Sequence, residues 1–213
     1  MELSRESEYR TGLPSLPDAS PYAAGSPLPL VEHAELRDPW DGTLVTRVAI
    51  STDADVRGAI DAAAHAQRSV AALATHERAA ILRRAADLVT DRADHYAVTI
   101  TRQTGKARKN TLREVRRAAW TMRAAATAAE TLSGTVPVAD IAPEHEGVMA
   151  VTVWEPIGVV GAITPFNAPF NLVTHKVAPA FAAGNAIVVK PASQAPLSAL
   201  DLARVMEEAG APA

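Results

Sequence analysis

The 213 residues include 21 Lys and Arg against 24 Asp and Glu, a formal charge of −3, and 48% of them are hydrophobic. That balance excludes bulk disorder and gives no electrostatic reason to expect nucleic acid or an anionic membrane as a partner. The absence of cysteine excludes disulfides, thiolate metal clusters and a cysteine nucleophile within these residues.

Residues 1–30 read as a Pro-rich arm. Pro14, Pro17, Pro21, Pro27 and Pro29 fix their own φ angles and lack amide donors, which opposes both helix and central strand. Loose packing or disorder is expected over residues 1–20. The arm carries charges and no apolar core, so a secretory leader is not expected. No later stretch is long and apolar enough to span a membrane, and a cytoplasmic location follows.

A strand pair is expected next, Leu28 to Leu36 and Leu44 to Ile50, around the turn Asp38-Pro39-Trp40-Asp41-Gly42. Thr52 and Asp55 have the spacing of a capping box, opening an alanine-rich helix that ends near Leu73. A second helix starts near Thr75, with Ile81, Leu82, Ala85, Leu88, Val89 and Tyr96 on one face, and runs to an interruption at Gly105. A third spans about Thr111 to Leu132. The segment Arg102 to Arg123 holds eight basic residues and one acid, Glu114, which reads as a solvated helix face rather than a nucleic-acid surface.

After Gly134, Val136-Pro137-Val138 and the alternating run Met149 to Trp154 are expected as exposed or interface strands. Two short apolar strands follow, Val159 to Ile163 and Ala186 to Val189, separated by 22 residues that include a helix opened by Pro169. Strands buried on both faces and joined by a crossover helix define a parallel sheet. A last helix opens at Pro196 and stops at Gly210. The fold class is α/β, with an incomplete parallel sheet that looks cut in mid-domain.

Ligands in open parallel sheets sit beyond the carboxyl ends of the strands. Here those ends lead into Thr164-Pro165-Phe166-Asn167 and Lys190-Pro191-Ala192-Ser193. Lys190 suits phosphate or sugar hydroxyls, or is merely the first wet position after a strand. Asn167 suits an oxyanion donor or an ordinary helix cap. The six histidines lack ligand spacing and no metal site is expected; G-x-G-x-x-G, P-loop and G-x-S-x-G motifs are absent.

Trp154-Glu-Pro-Ile-Gly-Val-Val-Gly-Ala-Ile-Thr-Pro-Phe-Asn167, Lys176-Val-Ala-Pro-Ala-Phe-Ala-Ala-Gly-Asn185 and Ile187-Val-Val-Lys-Pro191 resemble, in order and spacing, three blocks of the aldehyde dehydrogenase superfamily. Asp38-Pro39 through Gly42, Glu77-Arg78 and Thr104-Gly105-Lys106 extend the resemblance to about residues 36–213. It implies residues 31–213 as an incomplete NAD(P)-binding domain, with an oligomerisation strand at about 136–155 in an interface β-hairpin. It also implies Asn167 as the side-chain donor of the oxyanion hole for a thiohemiacetal. Ile163, Thr164, Pro165 and Phe166 would line the cofactor cleft near the nicotinamide, Lys190 would bind the adenosine ribose hydroxyls, and Lys176 would support the loop of Asn167. The cofactor is NAD or NADP, the substrate a small aldehyde, and the assembly a homodimer or tetramer.

Two departures qualify the resemblance. Ser193 stands where the family commonly has a Glu that accepts both ribose hydroxyls. Serine does not repel a 2′-phosphate, so NADP becomes tolerable. Gln103 replaces a frequent Glu and is expected to be structural. Ala168, Asn171 and Leu172 would line the aldehyde tunnel; Asn171 favours a small aldehyde bearing a hydroxyl or an anion, as in lactaldehyde- or phosphonoacetaldehyde-type members. The family's cysteine, general-base glutamate and second glycine motif lie beyond this stretch. The chain alone is therefore expected to be inactive, with weak cofactor binding: the first part of an ordinary enzyme, one chain of a split enzyme, or a non-catalytic assembly protein.

Overall fold

The structure, a computed structural model, describes residues 15–29 and 32–212. The expectation for residues 1–14 lies outside the described residues. Residues 15–19, by contrast, are not loose: the Leu16 and Ala19 amides donate to the Val45 and Arg47 carbonyls at 2.7 Å, and the Ala49 amide donates to Ala19 O. Ala19 is buried with Val45 and Leu197. Pro17 forbids a continuous ladder here, but Leu16 and Ala19 on either side of it still donate. A minimal hairpin, β1 (Tyr22–Ala23) and β2 (Ser26–Pro27), follows.

Strands β3 (His33–Arg37) and β4 (Leu44–Ala49) pair antiparallel, with a register shift between Leu36 and Arg37. Asp38 and Asp41 build the turn: Asp38 Oδ1 accepts from the Trp40 amide, and Asp41 Oδ1 from the amide and hydroxyl of Thr43. Helix α1 (Asp53–Ala72) opens on the capping box, with the Thr52 hydroxyl accepting from the Asp55 amide and the Asp55 carboxylate from the Thr52 amide.

The single helix expected from Thr75 to Gly105 is two, α2 (Thr75–Asp91) and α3 (Ala93–Thr104). Arg92, at φ −104° and ψ 20°, leaves helical geometry between them. Its guanidinium pairs with Glu208 at the far end of the chain, a tertiary contact that no local periodicity reveals. Gly105 ends α3 at φ +72°, a left-handed conformation that glycine adopts without steric cost. Helix α4 (Arg108–Thr131) then packs on α2, α3 and α5 (Pro169–Ala182). Ala85, Ala86, Ala118, Ala119, Ala125 and Ala126 lie in this core, around the larger Leu82, Ile100, Met122 and Phe170. Alanine lets helices approach closely and costs no side-chain entropy.

The strands expected at 136–138 and 149–154 do not form. Apart from a 3₁₀ turn at Pro143–His145, residues 132–157 carry no ladder; two extended legs meet where the Thr152 amide donates to Thr135 O at 2.8 Å and Trp154 Nε1 to Ser133 O at 3.1 Å. A Cβ at Gly134 would lie 1.7 Å from Thr152 O, so only glycine permits this approach. Val138, Ile141, Met149, Val153, Trp154 and Ile157 are all more than two-thirds exposed, and a ladder needs a partner edge that the described residues do not place here.

The parallel pair is as expected. Strand β5 (Val159–Ile163) runs beside β6 (Ala186–Lys190), in register from Val159↔Ala186 to Ile163↔Lys190, with α5 as the crossover. Gln67 of α1 clamps the return: its amide donates to Gly184 O and accepts from the Ala186 amide at 2.6 Å. Helix α6 (Leu197–Glu208) closes the described chain. No helix among the described residues is long and apolar enough to cross a membrane.

Candidate functional site

The strand register brings the two predicted loops together. Ile163 and Lys190 are the last pair of the parallel ladder, and the Thr164 amide donates to Lys190 O at 3.2 Å beyond it. Thr164 is 5% exposed, and its hydroxyl has no partner among the described residues. A buried hydroxyl without a partner is costly unless a ligand satisfies it. Ile163 and Phe166 are 82% and 54% exposed, Pro165 and Asn167 are exposed, and the Asn167 side chain makes no hydrogen bond among the described residues. An apolar wall, an unpaired hydroxyl and a free carboxamide therefore share one edge.

Lys190 and Ser193 face a different space. They line a cleft of about 860 Å³ along β6, walled by α1 at Ala59 and Ala62 and by α6 at Ala199 and Ala203. Ile163 to Asn167 do not line it. The predicted residues thus divide between a cleft and an exposed loop, which meet at the Thr164–Lys190 hydrogen bond. Ammonium and hydroxyl groups on the cleft side suit ribose hydroxyls and phosphates; the flat apolar surface on the other suits a planar ring.

The Asn167 loop is held by residues that the sequence reading passed over. Lys106 donates to Asn167 O and faces Glu114 Oε2 at 3.3 Å. Glu114 Oε1 accepts from the Phe170 amide at 2.9 Å and from Asn171 N at 3.4 Å. The expected support, Lys176, is exposed and makes no hydrogen bond or ion pair among the described residues. A signal for Glu114 was present: it sits at i+3 from Thr111 on the face carrying Val115, Ala118 and Met122, and an acid on a buried stripe requires a partner.

Gln103 is structural, as expected. It is 2% exposed, its oxygen accepts from the Leu197 amide at 2.9 Å and caps α6, and its nitrogen reaches Thr99 O and Ser198 Oγ. Asn171 is buried, and its side-chain oxygen accepts from Thr121 Oγ1 at 3.3 Å; His175 Nε2 lies 3.4 Å from the same hydroxyl. Ala168 and Leu172 are half-buried beside it. Among the described residues no group of acids and histidines could hold a metal ion.

Two parallel strands joined by a crossover helix, with polar groups gathered at their carboxyl ends, form part of an open α/β sheet, in which ligands bind beyond those ends. The chain belongs to the aldehyde dehydrogenase family, whose match covers residues 30–213. It is 39% identical over 191 residues to the 3-sulfolactaldehyde dehydrogenase of Priestia megaterium, covering 90% of this chain and 40% of that enzyme. With aspartate-semialdehyde dehydrogenase 1 of Pseudomonas canavaninivorans it shares 38% over 183 residues, covering 84% and 38%. Among solved structures, aldehyde dehydrogenase 21 of Physcomitrella patens with the product succinate superposes with a TM-score of 0.89 at 31% identity, covering 94% of this chain and 42% of that one. The NADP-dependent glyceraldehyde-3-phosphate dehydrogenase of Bacillus halodurans, complexed with NADP, gives 0.87 at 32% identity, covering 92% and 42%. The chain spans about two fifths of the length of these relatives, and its structural neighbours bind NAD or NADP.

Proposed function

We propose that residues 31–213 supply the oxyanion donor and part of the cofactor site of a cytoplasmic NAD(P)+-dependent aldehyde dehydrogenase that oxidises a small anionic aldehyde. The observation that carries this reading is the shared edge itself, where Asn167 offers an unused carboxamide next to a buried, unpartnered Thr164 hydroxyl. Bound NAD(P)+ supplies the hydride acceptor. Lys190 and Ser193 hold its adenosine ribose, while Ile163, Thr164, Pro165 and Phe166 flank the nicotinamide and exclude water from that side. The Asn167 Nδ2 donates to the aldehyde oxygen and gains strength as negative charge develops there, which is how a fixed donor lowers a barrier.

The anionic substrate class rests on the polar group beside the loop. Asn171, Thr121 and His175 hydrogen-bond in sequence at the start of α5. Arg117, one turn before Thr121 on α4, is exposed and has no ion-pair partner among the described residues. It supplies the cation. The relative named for sulfolactaldehyde handles an aldehyde bearing a sulfonate, and the one named for aspartate semialdehyde an aldehyde bearing a carboxylate beside an ammonium group. The exposed apolar legs at 132–157 suit a homo-oligomeric interface in the whole enzyme.

Residues 1–213 contain no cysteine, so the pure chain with aldehyde and NAD(P)+ is expected to give turnover no higher than a blank. A chimera tests the assignment: residues 1–213 joined to the remaining portion of the Priestia megaterium relative. A folded chimera should oxidise a small anionic aldehyde, and Asn167→Ala should lower kcat by about 10²–10³-fold. A folded chimera whose turnover is unchanged by that substitution would refute the oxyanion role.

A further inference from the structure

We infer that Lys106 and Glu114 form a positioning clamp that fixes the backbone from which the Asn167 side chain projects. The inference rests on the proposed role of Asn167 and adds the residues that hold its backbone. Helix α5 has a weak start of its own. Its N-cap is Ala168, whose methyl group cannot accept a hydrogen bond, and Pro169 lacks an amide hydrogen. The next two amides, of Phe170 and Asn171, are orphan donors that a good N-cap residue would satisfy locally.

Glu114 satisfies them from another helix. Its side chain is 8% exposed, and one oxygen takes both amides while the other faces the Lys106 ammonium. Lys106 also binds the Asn167 carbonyl. The span from Asn167 to Phe170 is thus gripped at both ends, by one cation and one carboxylate that also hold each other. The carboxamide of the gripped Asn167 has no partner among the described residues. The backbone sets the origin of that side chain and the rotamers open to it, and here the backbone is tied to α4 and to the turn after α3. Gly105 places Lys106 there by its left-handed φ.

Nitrogen-15 relaxation and hydrogen exchange on the 213-residue chain test the clamp, with circular dichroism melts as the check on folding. In the parent chain, Asn167 should be ordered at its backbone amide. Lys106→Met should lower the Asn167 order parameter from about 0.85 to below about 0.6 while leaving the melting midpoint near that of a Lys109→Met control. Lys106→Arg should restore the order. Glu114→Met should speed exchange at Phe170 and Asn171 at least tenfold; if that variant fails to fold, Glu114→Gln gives the same reading through Asn167 order. Unchanged Asn167 order in folded Lys106→Met and Glu114→Gln chains overturns the clamp, as does a uniform loss of order with a lowered melting midpoint. Failure of the oxyanion reading shows elsewhere, as undiminished turnover of the Asn167→Ala chimera.

Discussion

Asp201 shows how one residue's surroundings set a measurable pH dependence. Burial in α6 raises its carboxyl pKa, against the opposing pull of His95 and Arg204. A raised folded pKa means that the native state holds the proton more tightly than the unfolded chain. Stability is then lost as pH climbs from the unfolded value through the folded one. Asp201→Asn should therefore raise the melting midpoint at pH 7, and the gain should vanish near pH 3.5; an equal gain at both pH values would refute the burial argument. Asp55 runs the other way. Its hydrogen bonds to the Thr52 backbone and side chain lower its pKa, so the cap is intact above about pH 4 and is lost as pH falls through the depressed value. Thr52→Ala should cost about 1 kcal/mol of stability at neutral pH, read from urea melts. At Ser193, introducing a carboxylate with Ser193→Glu should weaken NADP+ binding at least tenfold relative to NAD+, measured by competition in the chimera. Equal weakening of both would remove Ser193 from the ribose site.

At the scale of elements, the sequence was most legible where each signal was local. The Thr52–Asp55 cap and the Asp38–Gly42 turn depend on neighbours within a few residues, Pro169 and the two short apolar runs are marked by their own composition, and all appear where expected. Tertiary partners account for the rest. Arg92 breaks the α2–α3 run while pairing with Glu208, over a hundred residues away. Lys106 and Glu114, not Lys176, hold the Asn167 loop because the topology brings the start of α4 against the start of α5. The legs at 132–157 alternate like strands but have no ladder to join. Core packing gives a test at this scale: Leu82, fully buried among alanines, should cost about 2–5 kcal/mol when cut to alanine, since small neighbours leave little to collapse into the void. A loss below about 1 kcal/mol would show that the helices close up instead.

Across the whole molecule, the candidate site is divided rather than concentrated. The described residues hold one pair of parallel strands, a cleft containing Lys190 and Ser193, and a loop presenting Asn167, joined by a backbone hydrogen bond between Thr164 and Lys190. The ends of the expected parallel strands marked both loops in the sequence and the resemblance gave them roles, but their division between cleft and exposed surface needed the strand register. The measurement that bears most directly on the account is a titration of the 213-residue chain with NADP+ up to millimolar concentration, followed by amide chemical shifts. The account predicts shifts confined to residues 163–166 and 190–193 and their immediate neighbours, abolished by Lys190→Ala. Shifts centred on the α2–α4 helices, or none at all at saturating concentration, would contradict it.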